Sequence, residues 1–166
     1  MSYKIGDRIL YPMHGAGTIE AIEEQQILGE KHAYYVLRLT TGDMKVMLPI
    51  KKLEEIGVRD IITPTEGKKV LAAIPGEIVS DDANWNKRYR DNMDLLRSGD
   101  IYKVLDVVKS LMLRDKIKGL STGERKMLSN SKQILISELV LSGTAETQEI
   151  ENLLKDAIED AACAKA

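Results

Sequence analysis

Phenylalanine is absent from this 166-residue sequence, tryptophan and cysteine occur once each, and aromatic residues make up only 4% of the chain. Any core must therefore be built from Leu, Ile, Val, Met and a few Tyr, and Trp85 stands out as the single residue of its kind. With Cys163 alone, an internal disulfide framework and a multi-cysteine metal site are both excluded, and a reducing cytosol fits best. This thiol lies in an acidic, Ala-rich segment with no resolving partner, so it reads as incidental. Asp7 and Arg8 interrupt the N-terminus before an apolar run reaches signal-sequence length. No later stretch approaches the roughly 18 uninterrupted apolar residues of a membrane span, so a cytoplasmic protein is expected.

Enzymatic signatures are missing too. There is no Gly-rich phosphate loop, no nucleophile elbow and no pair of metal ligands at the usual spacing. His14, within Pro12-Met13-His14-Gly15, reads as a turn residue, and His32, beside Glu30 and Lys31, as part of a polar loop. Glu20, Glu23, Glu24 and the pair Glu54-Glu55 read as a solvated face in a chain with 30% charged residues. A binding protein with no catalytic residue, metal or cofactor is expected ahead of an enzyme.

What the chain does have is segregated charge. The formal net charge of −2 conceals a stretch, 109–132, with seven cations (Lys109, Arg114, Lys116, Lys118, Arg125, Lys126, Lys132) against two acids, followed by residues 133–166, with seven acids against two lysines. The first could meet phosphate; the second could not, and is expected to face away from it.

The hydrophobic period divides the chain in two. Up to about Ile62 it reads as β: Arg8 to Tyr11, Ala16 to Glu23, Tyr34 to Leu39 and Lys45 to Leu48, with Gly42-Asp43 as a tight turn between the last two runs. Four or five short strands in this length predict a small antiparallel barrel of the SH3 or Tudor kind over 1–63. Beyond Thr63-Pro64 the period becomes helical, and 64–166 is expected to form a bundle of about five helices, an α+β architecture overall. The helices run from Thr65 to Ile74, from Trp85 to Gly99 after candidate caps Asp81, Asp82 or Asn84, from Asp100 to Gly119, from the Ser121–Glu124 capping box to Gly143, and onward from Thr144 or Thr147.

Asn84-Trp85-Asn86-Lys87-Arg88-Tyr89-Arg90 combines three cations, no acid, two aromatics and two amides at a helix start. Cations of this kind can contact phosphates, and a large apolar ring can wedge at an opened base step. Trp85, Tyr89, Met93 and Leu96 also span only about a quarter of the helix circumference, so Trp85 could equally be the first knob of a buried stripe. From residue types alone the two readings balance. A second basic group, Arg114 to Lys126, falls at a helix junction where the free N-terminus near Ser121 offers N–H groups to a phosphate, with Arg125 and Lys126 just beyond.

Spaced motifs then carry a resemblance. Gly6-Asp7-Arg8, Tyr11-Pro12, His14-Gly15-Ala16, Gly29-Glu30, Tyr35, Gly42-Asp43, Pro49 and Gly57-Val58-Arg59 resemble the polymerase-interacting domain of CarD/CdnL proteins, a domain with a relative in the transcription-repair coupling factor. Asn84-Trp85, Arg88-Tyr89, Ser98-Gly99-Asp100, Gly119-Leu120-Ser121, Gly123-Glu124 and Lys126-Met127-Leu128 resemble that family's helical DNA-contacting domain. The resemblance implies a barrel that docks by its strand edge on the β subunit of RNA polymerase, and a tryptophan that packs into the splayed minor groove of promoter DNA at the upstream edge of the bubble, stabilising the open complex. Carried over, the DNA-binding residues are Trp85, Lys87, Arg88 and Arg90, with Arg125 and Lys126. The polymerase face is Lys45, Val46, Met47, Leu48 and Pro49 with the loop around Gln25. Some family members carry arginines where this chain has Gln25 and Met47, so a salt bridge there is replaced by backbone pairing and apolar contact. The competing function is a protein-only polymerase adaptor whose helical domain is a scaffold with Trp85 in its core.

Overall fold

The computed structural model describes residues 2–40, 42–78 and 83–165. Its N-terminal part is a five-stranded antiparallel sheet in the order β4-β3-β2-β1-β5, formed by β1 (Arg8–Tyr11), β2 (Gly15–Ile27), β3 (Glu30–Leu39), β4 (Lys45–Pro49) and β5 (Arg59–Asp60). A one-turn helix, α1 (Leu53–Ile56), precedes β5. Then come α2 (Pro64–Ala73), α3 (Trp85–Arg97), α4 (Ile101–Ile117), α5 (Thr122–Leu141) and α6 (Thr147–Lys165). The α+β class and the five-helix C-terminal part are as expected.

The sheet departs from expectation in strand length. The expected loop around Gln25 and His32 is strand: Gln25 pairs with His32, and the ladder continues to Ile27–Glu30. The tight turn is here, at Leu28-Gly29, both with positive φ (51° and 81°), as a two-residue loop matched to the strand twist requires. Exposed and without apolar periodicity, this end of the hairpin carried no alternation to read. At Gly42-Asp43, β3 ends at Leu39 and β4 begins at Lys45, with Gly42 at φ 76° and Leu39 N–H bonded to the Met44 carbonyl at 3.0 Å. Thr41, Asp81 and Asp82 lie outside the described residues.

Side-chain alternation lets β1 serve two cores. Ile9 joins Ile19, Tyr35, Leu37, Leu48, Leu53 and Val58 inside the β part. Leu10 and Ala16 instead join the helical core of Val70, Leu96, Val104, Val108, Leu111, Leu135, Leu139, Ile150 and Leu154. The boundary near Thr63-Pro64 therefore separates secondary-structure types but not hydrophobic cores. α5 explains why: it packs against both β2 and α4, and is buried on several sides, including Ile136, Ser137 and Glu138 as well as the expected Met127, Ile134, Leu135 and Leu139.

Polar contacts finish the junction. Ser137 Oγ accepts from Ala16 N–H at 3.0 Å, and Gly15, at φ 111°, has no Cβ to displace that hydroxyl. Arg59 forms a two-pronged pair with the buried Glu138 carboxylate at 2.6 and 2.8 Å and also donates to the Gly99 carbonyl at 3.0 and 2.8 Å. Glu138 additionally accepts from Ile62 N–H at 2.9 Å. β5, the α3–α4 turn and α5 thus meet on one guanidinium.

Helix ends follow the cap chemistry. Thr63 accepts from Glu66 N–H with Pro64 at the first helical position, Asn84 from Lys87 N–H, Asp100 from Tyr102 N–H and Ser121 from Glu124 N–H. The end of α2 is closed by Lys109, whose buried ammonium donates to the carbonyls of Ala73, Gly76 and Glu77 at 3.3, 3.0 and 3.2 Å. Burial pushes its pKa down, with nearby Asp106 acting the other way. Lys109 therefore leaves the expected phosphate-facing stretch.

α2 also packs tightly on the α5–α6 turn. A Cβ at Gly67 would stand 1.8 Å from Thr144 Oγ1, and that hydroxyl is engaged with Ser142 Oγ at 2.7 Å. Gly67→Ala is expected to destabilise by about 1–3 kcal/mol, with Thr144→Gly restoring part of the loss in the double variant. Additive losses in urea unfolding would contradict this steric account.

Candidate nucleic-acid interface

The buried stripe of α3 is not the one the aromatic spacing suggested. Arg88, Asn92 and Leu96 are buried, while Tyr89 and Met93 lie partly buried beside them. Trp85, at the edge of this stripe, keeps 42% of its surface exposed. It is neither a core knob nor a loose side chain. Its ring stacks on Tyr89 (centroids 5.1 Å apart, planes at 19°), and its indole N–H donates to Ser121 Oγ at 3.0 Å. Gly123, at the start of α5, lies beside both rings: a Cβ there would be 3.7 Å from Trp85 Cζ2 and from Tyr89 Cε2. The two basic groups, separate in sequence, therefore meet at one place, where the first turn of α3 crosses the first turn of α5.

Arg88, expected on phosphate, is corrected. Its side chain is 3% exposed and forms a two-pronged ion pair with the buried Glu124 carboxylate, Nε to Oε2 at 2.8 Å and Nη2 to Oε1 at 3.1 Å. It also donates to the Ala83 carbonyl at 3.4 Å. On the helix, position 88 precedes the buried Asn92 and Leu96 by four and eight residues and so shares their face. Desolvation raises the Glu124 pKa, but the Arg88 hydrogen bonds and charge outweigh it and hold the carboxyl below its ordinary value. The capping box differs accordingly: the Glu124 side chain turns to Arg88 and only grazes the Ser121 hydroxyl at 3.4 Å, instead of reaching back to the Ser121 backbone.

The other expected cations divide. Arg90 and Lys126 are exposed with no carboxylate partner among the described residues. Lys126 lies three residues after Gly123, on the flank of α5 that continues the Trp85 surface. Lys87 is exposed and carries an i,i+4 pair with Asp91 at 3.2 Å, a solvent-screened contact of small energy. Arg125 is turned to Asp115 at 3.7 Å. The acidic segment does not simply face away, because α6 lies on the basic stretch: Glu159 pairs with Lys116 at 3.9 Å and Glu151 with Lys132 at 3.5 Å.

The second expected surface is the edge strand. Among the described residues, β4 pairs only with β3 and its outer backbone edge is open. Lys45 and Met47 point outward, and the Gln25 amide reaches Met47 Sδ at 3.7 Å. Leu48 is corrected: its side chain is fully buried in the β core, and Val46 packs partly against that core. Lys45 is held by Glu20 at 2.7 Å, and Glu20 also pairs with Arg38 at 2.7 Å. The hydrogen bonds from Lys45 and then Arg38 lower the Glu20 pKa.

Tyr89, Ser121 and Gly123 were not singled out as parts of one site. The capping box marked Ser121 as a helix start, but nothing local showed which ring it would meet.

Comparison with known proteins follows the same division. Residues 3–62 match the CarD-like/TRCF RID domain, and residues 69–155 match the CarD C-terminal domain. The chain is 40% identical over 147 residues to YdeB of Bacillus subtilis (strain 168), provisionally named a transcription factor, covering 88% of this chain and 96% of that one. Among solved structures, it is similar to the 72-residue N-terminal domain of Myxococcus xanthus CarD (32% identity, 36% of this chain, 79% of that chain, TM-score 0.31). It is also similar to CdnLNt from Myxococcus xanthus (39% identity, 37% of this chain, 87% of that chain, TM-score 0.33).

Proposed function

Because the chain belongs to the CarD-like family of transcription factors with an RNA polymerase-interacting domain, we propose that it is a non-enzymatic cytoplasmic regulator that docks by the β4 edge on the polymerase β subunit and stabilises the open promoter complex through Trp85. One observation carries this reading: a large apolar ring stays 42% exposed where the first turns of α3 and α5 meet, and the same two helices carry Arg90 and Lys126, exposed cations with no carboxylate partner among the described residues. Such a surface can take an unstacked base step on the ring and the adjoining phosphates on the cations. Lys87 is a third phosphate contact, and Arg125 a weaker one that must first leave Asp115. At the other end, the open backbone edge of β4 adds to a strand of the partner, with Met47 and Gln25 beside it. The protein-only adaptor reading loses its premise, since Trp85 is not in the core.

The test is the lifetime of heparin-challenged open complexes with cognate polymerase. Wild type is expected to lengthen it and Trp85→Ala to remove most of the gain while leaving the chain folded at the assay temperature. Equal lifetimes for wild type, Trp85→Ala and polymerase alone would sink the proposal. Arg90→Ala and Lys126→Ala should each lower the salt slope of complex formation by about one counterion.

A further inference from the structure

We propose that Ser121 is a positioning residue for Trp85, a hydroxyl whose hydrogen-bonding capacity is fully used to hold the exposed indole in one orientation before any DNA arrives. The consequence for DNA rests on the reading above; the positioning itself does not. Ser121 Oγ accepts from Trp85 Nε1–H at 3.0 Å and from Glu124 N–H at 3.2 Å, and its own proton points to Glu124 Oε1 at 3.4 Å. Two lone pairs and one proton are thus all engaged, so the oxygen cannot turn to another partner without breaking a bond. Glu124 is in turn fixed by Arg88, and Arg88 lies one helical turn from Trp85 on α3. The contacts close a ring, Trp85 to Ser121 to Glu124 to Arg88 and back along α3, which ties the first turns of two helices together.

This geometry explains two features that DNA contact by itself leaves unexplained. An arginine is buried at a surface whose chemistry favours exposed cations, because it holds the Glu124 carboxylate, which accepts from the Ser121 hydroxyl that caps α5 and receives the indole N–H. Glycine occupies position 123 beside both rings; a Cβ would meet one atom of each at contact distance, but a larger side chain would displace them. A half-exposed indole held this way has already lost its rotamer freedom, so the ordering cost is not charged to the DNA step.

Ser121→Ala also removes a helix cap, so the decisive experiment is a double-variant cycle with Trp85→Phe, which keeps a ring but has no N–H. Ser121→Ala is expected to shorten the open-complex lifetime about threefold to tenfold, the worth of one neutral hydrogen bond. Trp85→Phe should do the same, the double variant should lose no more than either alone, and Ser121→Thr should restore the wild-type lifetime. If Ser121→Ala costs the same factor in both backgrounds, the residue acts only as a cap and the proposal is overturned. A second readout uses the free protein. Trp85 is the single tryptophan, and its time-resolved anisotropy should gain a fast, large-amplitude local component in Ser121→Ala but not in Ser121→Thr. Unchanged anisotropy in Ser121→Ala overturns the proposal whatever the DNA assay gives. Conversely, an open-complex lifetime insensitive to Trp85→Ala defeats the promoter reading and leaves the anisotropy result to decide this one.

Discussion

Replacing Arg59, itself 32% exposed, with methionine is expected to cost about 3–5 kcal/mol of folding free energy, the loss typical when a buried carboxylate is left without its partner. The Glu138 side chain is 2% exposed and would remain with only the Ile62 N–H to satisfy it. The Gly99 carbonyl would lose two donors at once. In a chain of this length the cost corresponds to a fall of roughly 10 °C in melting temperature. Because the β and helical parts share a core, unfolding should remain a single transition followed equally by far-ultraviolet dichroism and by Trp85 emission. Arg59→Met combined with Glu138→Met should recover a large part of the loss, since neither charge is then left alone. A single Arg59 variant within 1 kcal/mol of wild type would mean that water reaches Glu138 and replaces the guanidinium.

Arg88→Leu is expected to cost a similar amount, about 3–5 kcal/mol, and its pH dependence identifies the cause. In the wild type, the Glu124 pKa is held below its ordinary value, so the pair contributes stability above the unfolded carboxylate pKa and loses it as pH falls through the folded value. Without Arg88, desolvation acts unopposed and the Glu124 pKa rises above its ordinary value. The deficit of the variant relative to wild type should therefore be largest near pH 7 and shrink toward about pH 4, where Glu124 becomes neutral in the variant. A phosphate contact behaves differently: its removal would leave urea unfolding of the free protein unchanged at every pH and alter only the salt dependence of complex formation. Thus Arg88→Leu, compared with Arg90→Ala, separates a buried structural cation from an exposed one two residues away.

Much of the helical part was legible because its signals are local. Asn84, Asp100 and Ser121 cap helices, Gly99 and Gly119 follow helix ends with positive φ, and Val104, Val108 and Leu111 repeat at helical spacing. The strands were legible where one face is buried and illegible where both are exposed, which is why β2 runs on to Ile27 past the last alternating pair. Pairings across the chain left no local trace. Arg88 and Glu124 are 36 positions apart, Arg59 and Glu138 79, and Lys109 reaches back 36 to Ala73. Arg88 and Lys109, cations read as solvent-facing, are buried, because local composition reports the charge of a residue but not the carboxylate or carbonyls that another element brings to it. The site suffered most from this: cations counted together as a basic stretch serve α2, α6 and the α4–α5 junction separately, and the exposed remainder is smaller.

The contacts between α5 and the sheet have a consequence for affinity. On the proposed function, a barrel seated on polymerase holds Trp85 near the DNA at a local concentration set by the geometry of one packed body instead of by a floppy tether. A handful of phosphate contacts and one ring can then suffice, although the same groups would bind free DNA poorly. Loosening the Ala16–Ser137 and Arg59–Glu138 contacts would dilute the tryptophan at its target without altering any residue that touches either partner.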